Sequence, residues 1–269
     1  MPMQPKLVAF DVDGTLLTST HSILASTKAA LQQLVQDGHH VLLATARPPR
    51  SVAQIATDLE IEHAISIALN GAMIISNNQI VWEMPMDRQA VEEIIKEARR
   101  RHLHANIMAG WHWYVETASS WYDQEAAIVE FQPEMVEDLL ADSIPNAHKV
   151  LLMGDAEDIA SYREWADSRS LPLNISLSKP NYCEIVIKEV SKAHALEQVA
   201  KILKIPHTNI IAFGDGENDM GIVSMAGVGV AMGNAMPEVL AVADLVTKSN
   251  NEDGIYHALL ELGLIRPPA

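Results

Sequence analysis

The tightest constraint on how this chain can fold is a recurring unit: a short apolar run stops at polar residues, and a helical pattern follows. Leu7 to Phe10 runs into Asp11. "HVLLATARP" runs into Thr45 and Arg47, "AISIALNGA" into Asn70 and Gly71, and "NIIAFGDGENDM" carries Ile210 to Phe213 into Asp215. Apolar strands alternating with helices predict an α/β fold, a doubly wound, Rossmann-like parallel sheet covered on both faces. In such sheets ligands bind beyond the C-terminal strand ends. That is where each of these polar residues would fall, so the first strand serves partly to hold Asp11.

The middle of the chain reads differently. "MIISNNQIVWEM" predicts a hairpin turning at Asn77-Asn78. "DRQAVEEIIKEARRRH" and "EDIASYREWADSR" predict helices among the strands "HANIM", "WHWYVE", "HKVLLMG", "LNISLS" and "YCEIVI". This is an α+β pattern, expected as a cap domain over 84–188 inserted into a core of 1–83 and 189–269 and closing over its strand ends. Within the core, "STKAALQQLVQDG" predicts a helix capped by Ser26 or Thr27 and stopped at Gly38, and "MPEVLAVA" one with Pro237 early in it.

Charge narrows the partners. The formal net charge of −16 argues against general binding to nucleic acid or to an acidic membrane. An anionic substrate must then be captured by local cations against the global field. One cysteine, Cys183, excludes an intrachain disulfide and suits a reducing compartment. The N-terminal apolar run ends in acid, unlike a signal peptide, and no apolar run reaches the ~18 residues of a membrane span. A cytoplasmic protein is expected.

Two loops concentrate carboxylates, "DVDGT" at 11–15 and "GDGEND" at 214–219. Surface turns use the same residues. An EF-hand needs Gly at its sixth position and Glu at its twelfth; starting from Asp11 those positions hold Leu16 and Ser22, and from Asp215 they hold Met220 and Ala226. If both loops lie at one sheet edge, Asp11, Asp13, Asp215 and Asp219 converge, and four carboxylates cannot all stay ionised together without a cation. A hard divalent ion with oxygen ligands, such as Mg²⁺, meets that need and also binds phosphate. One carboxylate could then attack phosphorus while another shuttles protons.

"DVDGTL", "ATAR", "SKAHAL" and "GDGENDM", in that order, resemble the haloacid dehalogenase superfamily. The long insert between "LNGA" and Ser191-Lys192 resembles the Cof-like sugar-phosphatase branch with its large α/β cap. The resemblance implies Asp11 as nucleophile, forming an aspartyl-phosphate, and Asp13 as general acid and then general base. It implies Mg²⁺ held by Asp11, the backbone carbonyl of Asp13, and Asp215, with Asp219 in support. Thr45 and Lys192 would hold phosphoryl oxygens with help from Asn218; Ala46, Arg47 and Asn70 join them as phosphate- or substrate-binding candidates. Asp13 disfavours dehalogenase and ion-pump chemistry, since those branches lack an aspartate there. Ala46 and Ala193 stand where the family pattern has glycine, each adding a methyl where a backbone approaches phosphate.

The expected function is Mg²⁺-dependent hydrolysis of small phosphomonoesters, with sugar phosphates first. A phosphotransferase or mutase, which would use a sugar hydroxyl in place of water, and a non-catalytic phosphometabolite-binding protein are the alternatives. Alone, Lys192 at a helix start reads as a solvated charge, and Asn70-Gly71 as a turn. Trp111 and Trp113 could stack on a sugar, though packing is the commoner use of aromatics on a strand. The eleven histidines show no zinc spacing, and "GVGVAMG" does not match the dinucleotide fingerprint.

Overall fold

The computed structural model describes residues 5–169 and 171–267. The chain forms two compact units. One comprises the residues up to Ala46, Val52–Val81, and those from Ser191 on; the other comprises Trp82–Val190 together with Arg47–Ser51.

The first unit is built on an eight-stranded sheet. Its strands, in spatial order, are Leu245–Val246, Val228–Ala231, Ile210–Gly214, Leu7–Asp11, His40–Ala44, Ile65–Ala68, Met73–Ser76 and Gln79–Glu83. The first six are parallel, and Met73–Ser76 pairs antiparallel to Ile65–Ala68. The two central strands are apolar through Leu7–Phe10 and Ile210–Phe213 and buried along their whole length, as expected where helices cover both faces. From Leu7–Asp11 the chain winds one way through His40–Ala44 to Ile65–Ala68; from Ile210–Gly214 it winds the other way to Leu245–Val246. The reversal falls between Leu7–Asp11 and Ile210–Gly214, and a sheet of this kind opens a crevice at that point. There Phe10 pairs with Phe213 in register, and their rings stack with centroids 4.9 Å apart. Asp11 therefore leaves the sheet level with Gly214, one residue short of Asp215.

Local chemistry explains most boundaries. Asn77 and Asn78 both take positive φ, +50° and +58°, between the two antiparallel strands; a two-residue turn of this kind matches strand twist, and asparagine tolerates it. Pro237 opens the helix Pro237–Val242. The helix Ala25–Gln36 starts before the predicted cap: Leu24 is its N-cap, without a side-chain bond. Ser26 instead hydrogen-bonds to Asp253, and Thr27 is buried on the inner face. The hydroxyls read as caps are spent on tertiary contacts.

The second unit is α+β. Its sheet runs Leu173–Lys179, Tyr182–Ile187, Lys149–Met153, His104–Ala109, His112–Val115, Glu134–Met135. On one face Val150, Leu152, Ile107, Cys183 and Ile185 form a core with Ile94, Ile95, Ala98, Ile159 and Tyr162 from the helices Arg88–Arg100 and Ala156–Arg169. Alternate residues point the other way. Among them Lys149 and Glu184 form a buried pair at 3.0 Å. A further helix, Ser120–Val129, was not legible in the sequence: it buries Glu125 among its apolar residues, which breaks the amphipathic pattern. Trp113 is buried, donates Nε1 to Asn106 Oδ1 at 3.0 Å and meets Phe131 edge-on. Packing accounts for it. Among the described residues no helix is long and apolar enough to cross a membrane.

Phe213→Ala should cost about 3–5 kcal/mol of first-unit stability, since it removes a fully buried ring from the switch point. All five tryptophans lie between Trp82 and Trp165, in the second unit. Far-UV circular dichroism in urea must therefore follow the loss, with Val246→Ala on the half-exposed edge strand as the control expected to stay within about 0.5 kcal/mol. Equal midpoints for the two variants would contradict the central role given to the aromatic pair.

Candidate active site

Three segments of the first unit bring the acidic site together. Strand Leu7–Asp11 ends on Asp11, which is 5% exposed. The loop after Ile210–Gly214 supplies Asp215, and the short turn Glu217–Asp219 supplies Asp219, 1% exposed. Helix Lys192–Leu203 begins on Lys192, 1% exposed, behind Ser191, whose hydroxyl caps it by accepting from His194 N–H at 3.1 Å. Lys192 Nζ donates to Asp11 Oδ1 at 2.5 Å and to Asp219 Oδ1 at 2.7 Å. Lys192, which taken alone suits a solvated helix start and which the family resemblance places at the phosphoryl group, is wholly buried between two carboxylates. Burial alone would lower its pKa; the charges of Asp11 and Asp219 reverse that and hold it firmly protonated.

The carboxylates are not equivalent. Asp219 is fully used: Oδ2 accepts from the N–H groups of Asp215 and Gly216 at 3.1 and 3.0 Å, and Oδ1 takes Lys192. It shapes the loop that presents Asp215. Thr15, which follows Asp13 by two residues, donates to Asp215 Oδ1 at 2.7 Å. Gly14 packs its Cα against the same carboxylate: a Cβ there would lie 2.3 Å from Asp215 Oδ2, and its φ of +87° already suits glycine alone. Thr15 and Gly14 were visible in "DVDGT" but carried no assigned role; their contact with a loop 200 residues away becomes legible only in three dimensions. Burial raises the pKa of Asp11 well above the ordinary carboxylate range, aided by the charge of Asp219 and opposed by Lys192. Burial likewise pushes Asp215 up to about 6, against the Thr15 hydrogen bond.

Asp11, Asp215 and Asp219 offer carboxylate oxygens that all lie within 4.8 Å of one another. One buried ammonium against three acids leaves a surplus of negative charge. All the donors are hard oxygens. This set fits a hard divalent cation such as Mg²⁺; Asp11 and Asp215 could hold it, while both oxygens of Asp219 already accept hydrogen bonds. Asp13 stands apart from the group: its side chain is 44% exposed, with Oδ1 4.0 Å from His21 Nδ1.

The remaining candidates divide. Thr45 is buried at the end of His40–Ala44, its N–H bonded to Ile67 O and its carbonyl accepting from Asn70 N–H. Asn218 donates from Nδ2 to Asn70 Oδ1 at 3.0 Å. Ala46 ends its stretch of the first unit, and Arg47 belongs to the second, where Nη1 donates to Ile128 O at 2.9 Å and Ser51 Oγ at 3.1 Å. Ala193 faces Gly221: a Cβ on that glycine would lie 2.8 Å from the Ala193 methyl. The methyl that departs from the family pattern is accommodated there.

A family model for haloacid dehalogenase-like hydrolases matches residues 8–259. The YkrA protein of Bacillus subtilis (strain 168) is 31% identical over 268 residues, spanning 98% of this chain and 100% of its own. YitU of the same organism, a 5-amino-6-(5-phospho-D-ribitylamino)uracil phosphatase, is 29% identical and spans 97% of this chain and 98% of its own. A haloacid dehalogenase-like hydrolase from Bacteroides thetaiotaomicron, solved by crystallography, matches with a TM-score of 0.90 and 28% identity over 96% of this chain and 100% of that one. The chain belongs to the haloacid dehalogenase-like hydrolases. It is an enzyme, and the motif resemblance extends over nearly its whole length.

Lys192→Met should destabilise the first unit by about 3–5 kcal/mol, because it strands two buried carboxylates. Adding Asp219→Asn to it should recover part of that loss, since one stranded charge disappears. Additive losses in urea titrations of the two single variants and the double variant would show that Lys192 and Asp219 are not coupled as their 2.7 Å contact implies.

Proposed function

We infer that the chain is a phosphatase of small phosphomonoesters, and we propose a Mg²⁺-assisted route through a phosphorylated Asp11. The observation that carries this reading is the unequal treatment of two aspartates two residues apart. Asp11 is buried against an ammonium, and Asp13 is half-exposed beyond the strand. A nucleophile needs the first environment and a proton carrier the second.

Asp11 and Asp215, with the backbone carbonyl of Asp13, would hold Mg²⁺, which when bound neutralises charge on the phosphoryl oxygens. Lys192 fixes Asp11 through Oδ1 and adds positive charge beside the phosphoryl group. Thr45, the Ala46 backbone, Arg47 and Asn218 are proposed for substrate oxygens. Attack by Asp11 on phosphorus breaks the ester bond, and Asp13 gives its proton to the leaving alcohol oxygen. Asp13, now ionised, takes a proton from water as that water attacks the phosphorylated Asp11, which releases inorganic phosphate and restores both side chains.

The alcohol half of the substrate is proposed to be polyhydroxylated, as in a sugar or sugar-alcohol phosphate. YitU, by its name, hydrolyses a phosphate on a ribityl chain. A panel of phosphorylated sugars, sugar alcohols and nucleotides assayed for phosphate release tests this class, and a preference for nucleotides would refute it.

Saturating Mg²⁺ should raise the thermal midpoint of the parent, with about 2.7 kcal/mol of stabilisation at one hundred times Kd, and chelation should abolish turnover. Asp215→Asn should lose both effects; full activity after exhaustive chelation would sink the metal assignment.

The two aspartates should fail differently. Asp11→Asn should be inactive, because an amide neither attacks phosphorus nor carries the charge that binds Mg²⁺. Asp13→Asn should lose about 10²–10⁴-fold in rate. With a nitrophenyl phosphate, whose leaving group needs little protonation, it should accumulate phosphoenzyme, seen in acid-quenched mass spectra as about 80 Da of added mass on a covalent intermediate. Wild-type turnover in Asp13→Asn would remove Asp13 from the chemistry.

A further inference from the structure

The turn after strand Ile65–Ala68 holds three consecutive residues at positive φ: Leu69 at +53°, Asn70 at +59° and Gly71 at +109°. Glycine adopts this region freely and asparagine tolerates it, but for leucine it is an outlier. Leu69 in the left-handed region is strained, and such strain persists only where the surroundings over-determine it. Leu69 and Asn70 are buried.

The surroundings are the three segments that carry the proposed phosphate-binding residues. Asn70 N–H donates to Thr45 O at 3.0 Å, at the end of strand His40–Ala44. Asn70 Oδ1 accepts from Asn218 Nδ2 at 3.0 Å, in the loop after Ile210–Gly214. Gly71 lies against the start of helix Lys192–Leu203, where a Cβ would come 2.2 Å from Ser191 O, 2.5 Å from Ser191 C and 3.0 Å from Lys192 N. Thr45, Asn218 and Lys192 come from positions far apart in the chain, and this one turn touches the backbone or side chain of each segment.

We propose that Leu69–Gly71 is a clasp that sets the phosphate-binding groups in register, with Asn70 a positioning residue that acts through Asn218. The proposal rests on the reading of Asn218 as a phosphate ligand. Asn218 is exposed and stands in a short turn, so its side-chain torsions are restrained largely by its partner. Fixing a hydrogen-bond donor before the substrate arrives removes the entropy cost of ordering it during binding. The turn aims the side-chain Oδ1 of Asn70 at Asn218 while its backbone N–H donates to Thr45 O. A side chain at position 71 would push the helix start, and Lys192 with it, away.

The decisive variant is Asn70→Gly, which accepts the positive φ without strain and deletes only the amide. Inorganic phosphate is titrated calorimetrically into the Mg²⁺-loaded full chain, for the parent, Asn70→Gly, Asn218→Ala and the double variant. Each single variant should weaken phosphate about tenfold, the worth of one hydrogen bond to a charged group. The double variant should weaken it about tenfold again only relative to the parent, not a hundredfold, because both changes remove the same donor. A hundredfold loss in the double variant, or no loss in Asn70→Gly, overturns the proposal. A second readout separates it from the functional reading. The Asn218 side-chain amide resonances, identified by their disappearance in Asn218→Ala, should lose dispersion and gain fast motion in Asn70→Gly. If the parent binds no phosphate and the amide still loses order, the phosphatase reading fails and the positioning role stands; if the amide is unmoved, the positioning role fails whatever phosphate does.

Discussion

Everything in the first unit answers to one buried ammonium. Lys192 is enclosed as completely as any leucine of the core, and it survives there because Asp11 and Asp219 flank it at 2.5 and 2.7 Å. Neither carboxylate could be buried alone, and neither could the lysine. The three come from the first strand, the loop after the Ile210–Gly214 strand, and the start of a helix. Their mutual dependence fixes where those three elements end relative to one another. As a device for stability this is poor value, since an apolar trio would pack as well. As a device for presenting one carboxylate at a defined point, held through Oδ1 by the ammonium, it has few substitutes.

The charge left over gives the site its second requirement. Three acids and one base in a crowded space bind either protons or a cation. The raised pKa values of Asp11 and Asp215 express the first choice, and their convergent hard oxygens suit the second. Thr15 and Gly14 matter here because they hold Asp215 at that point from the opposite side, through a hydroxyl bond and a close backbone approach. The "DVDGT" stretch thus does three things within five residues. It ends a strand on Asp11, it lifts Asp13 toward solvent, and it turns back to brace a loop two hundred residues later.

How much of this was legible in the sequence follows from which interactions are local. The core strands were, because a strand covered on both faces must be apolar throughout, and Leu7–Phe10 and Ile210–Phe213 are. The hairpin at Asn77-Asn78 was, because its turn chemistry is contained in two residues. The destination of Lys192 was not: a lysine opening a helix looks the same whether it meets water or two distant carboxylates, and only the resemblance pointed inward. Ser26 looked like a cap and proved to be a tertiary contact with Asp253. Helix Ser120–Val129 was hidden by the buried Glu125, whose pKa burial raises while Lys149 offsets part of the rise. At Lys192 and Ser26 a polar residue meets a partner far along the chain, which no local pattern encodes.

The same logic explains why asparagine stands at position 70. Glycine would relieve the left-handed backbone, and aspartate would still accept from Asn218. Glycine offers no acceptor, so Asn218 would lose its restraint. Aspartate would add a fourth carboxyl charge to a region already short of cations, and would oppose an anionic substrate. Asparagine is the residue that tolerates positive φ, presents a neutral acceptor, and leaves its N–H for Thr45. Leu69 before it has no such excuse for its own positive φ, and its side chain is fully buried. Burying leucine at this point outweighs the backbone strain, so the hydrophobic core itself holds the turn in the conformation that the polar contacts of Asn70 require.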